Sequence, residues 1–405
     1  MQERQIGVWL VGALGSISAA VMIGIHALRN GRSDSTGMVT ATTLLSDLDL
    51  IPVEAIHVGG CDIRRADLRD SLLEVIGRVG GLNPKISLEV EEYLAQVTPH
   101  ISSGITRNCG AAIQSLAADP EPCGSVRDQI DQIRGCISRF KESMGLDEVV
   151  VVNLASTEPP LKLTHVHEDV EALERTLDSD GAVQASTLYA YAAIQSGCPY
   201  INFTPSNGAI FPAMVALAER NGVPLMGDDG KTGETLVKSA LAPMFTYRNL
   251  RVLSWEGFNI LGNMDGLVLN HPENRESKIA SKQGVLTHIL GYEPHSQVGI
   301  NYVPSLGDQK VAWDFVHFEG FLGARMSLQF VWQGYDSLLA APLVLDLVRL
   351  ADLAKRRGEA GLMPHLACFF KSPVGVHEHR FHDQFRMLTD YAAHARTQGQ
   401  GAREL

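Results

Sequence analysis

The sequence predicts an α/β protein built on a doubly wound, mostly parallel sheet. Three observations carry that reading. Apolar runs such as VWLV (8–11) and VVVV (149–152) are unbroken, as strands covered on both faces require. Strand-like runs alternate with helix-like stretches along the chain. Each strand-like run ends in small or polar residues: Gly12 and Gly15, Asp62, Thr157 and Glu158, Ser206 and Asn207, Asp228 and Asp229. In such sheets ligands gather beyond the carboxyl ends of the strands.

The elements follow in order. Residues 7–11 predict a strand, G12-A-L-G15 a tight turn, and the stretch to about Arg29 a helix. Residues 6–28 contain no Asp, Glu, Lys or Arg. By length they could cross a membrane, and Arg4 ahead of them could open a signal peptide. The two glycines break the run early, its first part is β-rich, and its second part (Ser18, Ala19, Ala20) is small and helical. A strand, a turn and a buried helix account for all of it, and no membrane partner is expected. Residues 30–55 are loop-rich, and AIHVGGCDI (55–63) is a second strand. Residues 64–146 read as mostly helical, with breaks near Gly80, Pro84 and Pro120. EVVVVNLAS (148–156) is a third strand; a helix at 184–196 precedes PYINFTPSN (199–207), and VPLMGDDGKTGET (223–235) repeats the arrangement.

The bulk numbers bound the function. A chain of 405 residues predicts two domains. A formal net charge of −12 argues against nucleic acid as a partner, because a phosphate backbone needs a basic footprint. The six cysteines (61, 109, 123, 136, 198, 368) form no CxxC and read as buried thiols of a reducing, cytoplasmic compartment. The 14 histidines show no HExxH pattern.

Several groups carry chemistry. Lys278 and Lys282 are spaced i, i+4, so two ammoniums share one helix face, thirteen residues after Asp265. Such crowding is destabilising unless an anion sits between them or one proton leaves, and it lowers a lysine pKa. The alternative is a solvated basic face. The turn Gly12 to Gly15 is GxxG rather than GxGxxG. Its glycines let the backbone approach a pyrophosphate at a helix N-terminus, where Ser16 adds a hydroxyl. Asp62 follows the second strand, where an acidic residue often takes ribose hydroxyls. It lies about 50 residues after the glycines rather than ~20, which requires a long insertion. GDDGKTGET (227–235) is a phosphate-nest candidate through Gly230, Thr232, Gly233 and Thr235; a plain turn is the alternative. VPSLGDQK brings Asp308 and Lys310. Asp336 and Ser337 open an apolar helix at 336–356, where a helix cap alone would explain Asp336. Lys371 follows two phenylalanines, where desolvation would depress its pKa.

Taken in order, VWLVGALGS, VGGCDI, NLASTE, NFTPSN, GDDGKTG, GNMDG, SKIASK, GDQK, DSLLAAPLVLDLVRL and FFKSP resemble the myo-inositol-1-phosphate synthase (inositol-3-phosphate synthase) family over nearly the whole chain. The resemblance implies a Rossmann-type doubly wound sheet with an inserted α/β catalytic and oligomerisation domain. The NAD-binding part would span 1–204 and 311–405, and the insert 205–310. It implies NAD as cofactor, a sugar phosphate as partner and a homotetramer, and leaves open a monovalent or divalent cation. The implied reaction converts D-glucose 6-phosphate to an inositol phosphate with no net oxidation. Lys278 and Lys371 would serve the carbon 5 oxygen, and Lys282 and Lys310 the phosphate and the carbon 1 oxygen. Thr232 and Gly233 match the phosphate turn, and Asp229, Asp265 and Asp336 match acidic positions that tune the lysines and hold the nicotinamide end. Thr157 and Glu158 match an NAD-contacting segment in which Ser156 replaces asparagine, and Gly12, Gly15, Ser16, Asp62, Ile63 and Ser337 complete the cofactor set. The shortened first turn and the acidic Glu234 leave room for a paralogue that cyclises another hexose phosphate, such as fructose 6-phosphate. A non-catalytic NAD-binding protein is the further alternative.

Overall fold

Two sheets organise the chain. The computed structural model describes residues 4–78, 84–119, 124–269 and 284–401. The strands are β1 (Ile6–Val11), β2 (Ile56–Asp62), β3 (Ile101–Ser103), β4 (Glu148–Asn153), β5 (Tyr200–Asn202) and β6 (Pro224–Met226), then β7 (Arg251–Leu261), β8 (His295–Tyr302), β9 (Gln309–Glu319), β10 (Arg325–Tyr335) and β11 (Gly361–Leu362).

The first sheet has seven strands in the order β11-β6-β5-β4-β1-β2-β3, all paired in parallel. β1 and β4 are buried throughout because each pleat face meets its own helical layer. Val8, Leu10, Val150 and Val152 enter the core formed with helices Ser16–Arg29 and Asp336–Arg356. Trp9, Val11, Val149 and Val151 face the layer of helices Val126–Met144 and Ala185–Gln195. This two-sided burial is why the strands read as continuous apolar runs.

The second sheet runs β10-β9-β7-β8; β7 pairs antiparallel with β9 and parallel with β8. Helix Glu234–Tyr247 lays Ala242 and Phe245 on its inner face, against Trp255 and Val316. Its four strands lie between Arg251 and Tyr335, so β9 and β10 run past the expected bound at 310, while β6, inside 205–310, belongs to the first sheet.

One local expectation gains a detail and one needs correction. The region 64–146 is mostly helical, as expected, and also holds Ile101–Ser103, which pairs with β2 as an edge strand. Three residues are too few to show a period of two in sequence. Asp336 is not a helix cap. Tyr335 occupies the cap position with no side-chain cap bond, and Asp336 is the first helical residue. Its carboxylate is drawn to partners outside the helix, described below. No helix among the described residues is long and apolar enough to cross a membrane.

Candidate functional site

A cleft opens at the carboxyl ends of β1 and β4. The strand order reverses there, because the chain leaves β1 for β2 on one side and reaches β4 on the other. Such switch points are where doubly wound sheets hold ligands. The cleft has two chambers that share Gly15, Leu154, Ala155, Ser156 and Met264. The first, with about 760 Å³ of empty volume, is lined by Gly12, Asp62, Ile63 and Glu158. The second, about 810 Å³, is lined by Ser16, Thr157, Asp229, Thr232, Asp265, Asp336, Ser337 and Lys371, among others. Thus most of the residues singled out in the sequence meet in one cleft, although they come from segments scattered along the chain.

The first chamber is built around a glycine turn at a helix N-terminus. Gly12 has φ +87°, and a Cβ there would lie 3.0 Å from the Ala155 Cα. The turn is pinned by the Gly12 and Ala13 amides, which both donate to the Cys61 carbonyl at 2.9 Å. No side chain caps helix Ser16–Arg29 at Gly15, and a helix N-terminus offers amide donors and partial positive charge to an anion. Gly12→Val is therefore expected to abolish measurable NAD binding by calorimetry, since it strains the backbone and obstructs the turn.

Asp62 ends β2. Its Oδ2 accepts from the Leu14 amide at 2.8 Å, and its Oδ1 accepts from the Arg64 amide at 2.9 Å and from Arg64 Nε at 3.2 Å. The carboxylate is thereby tied to the glycine turn despite the long sequence gap between them. Glu158 is buried; it accepts the Ser186 amide at 3.0 Å and also the Ser186 hydroxyl. Desolvation pushes its carboxyl up from 4.5 to about 7, against the lowering effect of the two Ser186 bonds. A raised folded pKa stabilises the fold below the unfolded value, and that stabilisation is lost as pH rises through the folded value. Wild type is expected to lose about 3 kcal/mol relative to Glu158→Gln between pH 4.5 and 7, measured by urea unfolding at each pH.

One lysine–carboxylate pair lines the second chamber, and a second borders it through its carboxylate. Lys371 is buried, and its Nζ donates to Asp229 Oδ1 at 2.8 Å. The desolvation expected for Lys371 is thus met by a counter-ion. The pairing follows from local backbone: the Lys371 amide donates to the Asp229 carbonyl at 2.7 Å, and the Lys231 amide to the Phe369 carbonyl at 2.8 Å. Lys310 Nζ donates to Asp336 Oδ2 at 3.2 Å, and the Thr232 hydroxyl to Asp336 Oδ1 at 2.8 Å. Lys310 does not line the chamber itself but joins it through Asp336. Gly233 is the N-cap of helix Glu234–Tyr247. The Ser337 hydroxyl donates to Asp308, and the Thr157 hydroxyl lies 3.5 Å from Asp265 Oδ1. Lys278 and Lys282 lie outside the described residues.

Sequence reasoning missed other groups. Asn153, Tyr189 and Met264 also line the cleft beside the expected strand-end Ser206, and nothing local marks those three. Glu234, read as an acid beside the phosphate turn, is 2% exposed and turned into the second sheet, where it pairs with Lys238 at 2.5 Å. Its i, i+4 spacing to Lys238 was the available signal. No group of three or more His, Cys, Asp or Glu residues placed to hold a metal occurs among the described residues.

Fold and cleft together define a doubly wound α/β protein whose second sheet contributes to a polar, lysine-bearing chamber at the switch point. Residues 6–392 match the NAD-binding family model described as myo-inositol-1-phosphate synthase. An inositol-3-phosphate synthase of Bacteroides thetaiotaomicron is 32% identical over 403 residues, covering 94% of this chain and 92% of that one. The human inositol-3-phosphate synthase 1 is 32% identical over 391 residues, 88% of this chain and 69% of that one. Among solved structures, the Caenorhabditis elegans inositol-3-phosphate synthase superposes with a TM-score of 0.86 at 25% identity, over 97% of this chain and 86% of that one. A myo-inositol-1-phosphate synthase-related protein from Thermotoga maritima gives 0.79 at 26% identity, over 96% and 99%. The chain belongs to the myo-inositol-1-phosphate synthase family.

Proposed function

We propose that the chain is an NAD-dependent isomerase that cyclises D-glucose 6-phosphate to 1D-myo-inositol 3-phosphate by oxidation, enolisation, intramolecular aldol closure and reduction. The observation that carries the reading is the second chamber, where Lys371–Asp229 and Lys310–Asp336 come together beside a hydroxyl-bearing turn and against the dinucleotide chamber. NAD, when bound, supplies a hydride acceptor for carbon 5 and a hydride donor for the final ketone. Gly12, Gly15 and Ser16 would hold its pyrophosphate, Asp62 and Ile63 its adenosine side, and Thr157, Asp336 and Ser337 the nicotinamide side, with Glu158 contacting it from the first chamber.

The chain's own residues manage the charge. Lys371 in its amine form takes the proton of the carbon 5 hydroxyl as the ketone forms and, as the ammonium this makes, holds the resulting oxygen through enolisation, with Lys278 beside it. Asp229 keeps the Lys371 ammonium aimed, and Asp265 serves the adjoining acidic position. A carbon 6 proton passes to the substrate's own phosphate dianion, and the enolate carbon so formed attacks the carbon 1 aldehyde, whose oxygen takes a proton from the adjoining lysine. Lys310 and Lys282 hold the phosphate and the new carbon 1 oxyanion, with Thr232 and Gly233 on the phosphate. Fixed donors aimed at developing oxyanions are usually the largest catalytic term.

Glucose 6-phosphate with NAD is expected to yield an inositol phosphate without accumulation of NADH, while fructose 6-phosphate under the same conditions turns over at least tenfold more slowly. The reverse preference establishes the paralogue. The acidic residue that favoured that alternative, Glu234, has its side chain paired inside the second sheet.

The family assembly proposed here is a homotetramer. The outer face of the second sheet carries Phe258 stacked on Trp313 at 5.6 Å, with Phe315 and Val331 near them; Val331 is 59% exposed. A contiguous apolar face of this kind marks an interface. Trp313→Glu is expected to shift the sedimenting species from tetramer to smaller forms. The buried free thiols Cys61, Cys109, Cys136, Cys198 and Cys368 fit a reducing cytoplasmic compartment.

A further inference from the structure

A chain of buried charges lies directly behind the phosphate turn. Glu234 is the first residue of helix Glu234–Tyr247, immediately after Gly233. Its Oε1 lies 2.5 Å from Lys238 Nζ, one turn further along the helix, and its Oε2 accepts from Asn259 Nδ2 of β7 at 2.5 Å. Lys238 Nζ lies 3.5 Å from Asp314 Oδ1 of β9, which also accepts from Trp255 Nε1 at 2.7 Å. All five residues are at most 2% exposed. The sheet is cut away to admit them: a Cβ at Gly257 would lie 2.5 Å from Glu234 Oε1 and 2.9 Å from Lys238 Nζ.

Stability does not explain the arrangement. Taking three charged side chains out of water costs more than their attraction reliably returns, and apolar replacements of equal volume are often no less stable. What the network does supply is geometry. It ties the first turn of the helix to two strands of the second sheet, while Thr232 on the other side is tied to Asp336 of the helix packed on the first sheet. The amides at Gly233, Glu234 and Thr235 are thus clamped from both sheets. Anion-binding amides need placement within about 0.5 Å to act as a preorganised site.

We propose that Glu234, Lys238 and Asp314 are positioning residues that hold the amides at the start of helix Glu234–Tyr247 for the substrate's phosphate. The proposal rests on the phosphate role given to Thr232 and Gly233 above. It makes the network a determinant of affinity for the phosphorylated end of the substrate rather than of NAD binding or of the chemical steps.

The test removes the charges at near-constant volume in Glu234→Gln/Lys238→Met/Asp314→Asn. The expected result is a KM for glucose 6-phosphate raised at least tenfold, with kcat and the NAD Kd within threefold of wild type. Glu234→Gln alone keeps an acceptor for Lys238 and is expected to raise KM by less than the triple variant does; an equal or larger rise would mean that the residues do not act as one network. An unchanged KM in a folded triple variant, or a fall in kcat at constant KM, overturns the proposal. If the triple variant does not fold, hydrogen exchange decides on Asp314→Asn: the amides of 234–237 are expected to exchange at least fivefold faster than in wild type, with β1 unchanged. Unchanged protection there overturns it equally. Wild-type protein that fails to bind glucose 6-phosphate contradicts the functional reading instead, and the exchange experiment still judges the network.

Discussion

Lys371→Ala is expected to lower kcat by about 10³-fold or more while the NAD Kd stays within threefold. Loss of a positioned proton-transfer group costs about 10²–10⁴-fold, and a charged donor aimed at an oxyanion about 10²–10³-fold. Lys371 is assigned both tasks. It stands on the wall of the second chamber, paired with Asp229, and it does not line the first chamber, where the adenosine side would sit. A residue acting only on the transition state lowers kcat and kcat/KM together. Lys371→Arg separates the two tasks, because it keeps the charge but does not exchange a proton near neutral pH. It is expected to remain at least 10²-fold slow. Equal losses of turnover and NAD affinity would show that Lys371 supports the cofactor, not the reaction.

The second large effect concerns Lys310. Its side chain is only 13% exposed and that of Asp336 24%. Lys310→Met leaves Asp336 with the Thr232 hydroxyl but without this ammonium, beside the place assigned to a phosphate dianion. Removing one partner of a partly buried pair is costly to the extent that the other charge stays behind out of water. The expected result is a 10²–10³-fold fall in kcat/KM for glucose 6-phosphate, carried largely by KM. Lys310→Met/Asp336→Asn removes the stranded charge and is expected to recover about tenfold of the loss. Additive losses in the double variant would mean that the two residues do not act as a pair.

How much of this was legible in the sequence depends on the range of the interaction. β1 and β4 were legible because burial on both faces leaves an unbroken apolar run. The helix Asp336–Arg356 was legible from its apolar pattern over 21 residues. β3 and β11, at three and two residues, carry no period to detect. Asp336 shows the limit most clearly. A local rule assigns it to a cap, yet its partners are Lys310, 26 residues before it, and Thr232, 104 residues before it. The β9–β10 register, which sets Lys310 opposite Gly334, brings the lysine to Asp336, and the turn after β6 brings Thr232. Asp62 gives the reverse lesson: its distance from the glycines counted against it, yet the extra stretch after helix Ser16–Arg29 packs into the core through Leu45 and Ile51 and onto Asp346 through Thr40, and the Leu14 amide still meets the Asp62 carboxylate. The partners of Glu234 were half visible, since Lys238 follows at helical spacing but Asp314 comes from a strand 80 residues further on.

The central claim is that the hydride removed from carbon 5 returns to the same molecule without leaving the site. The most direct measurement uses glucose 6-phosphate deuterated at carbon 5, with NAD in catalytic amount, and follows the label by mass and NMR. The account predicts an inositol phosphate that retains the deuterium at the carbon derived from carbon 5, with no NADH released. Loss of the label to solvent or to free cofactor, or formation of an oxidised sugar phosphate with stoichiometric NADH, would contradict it.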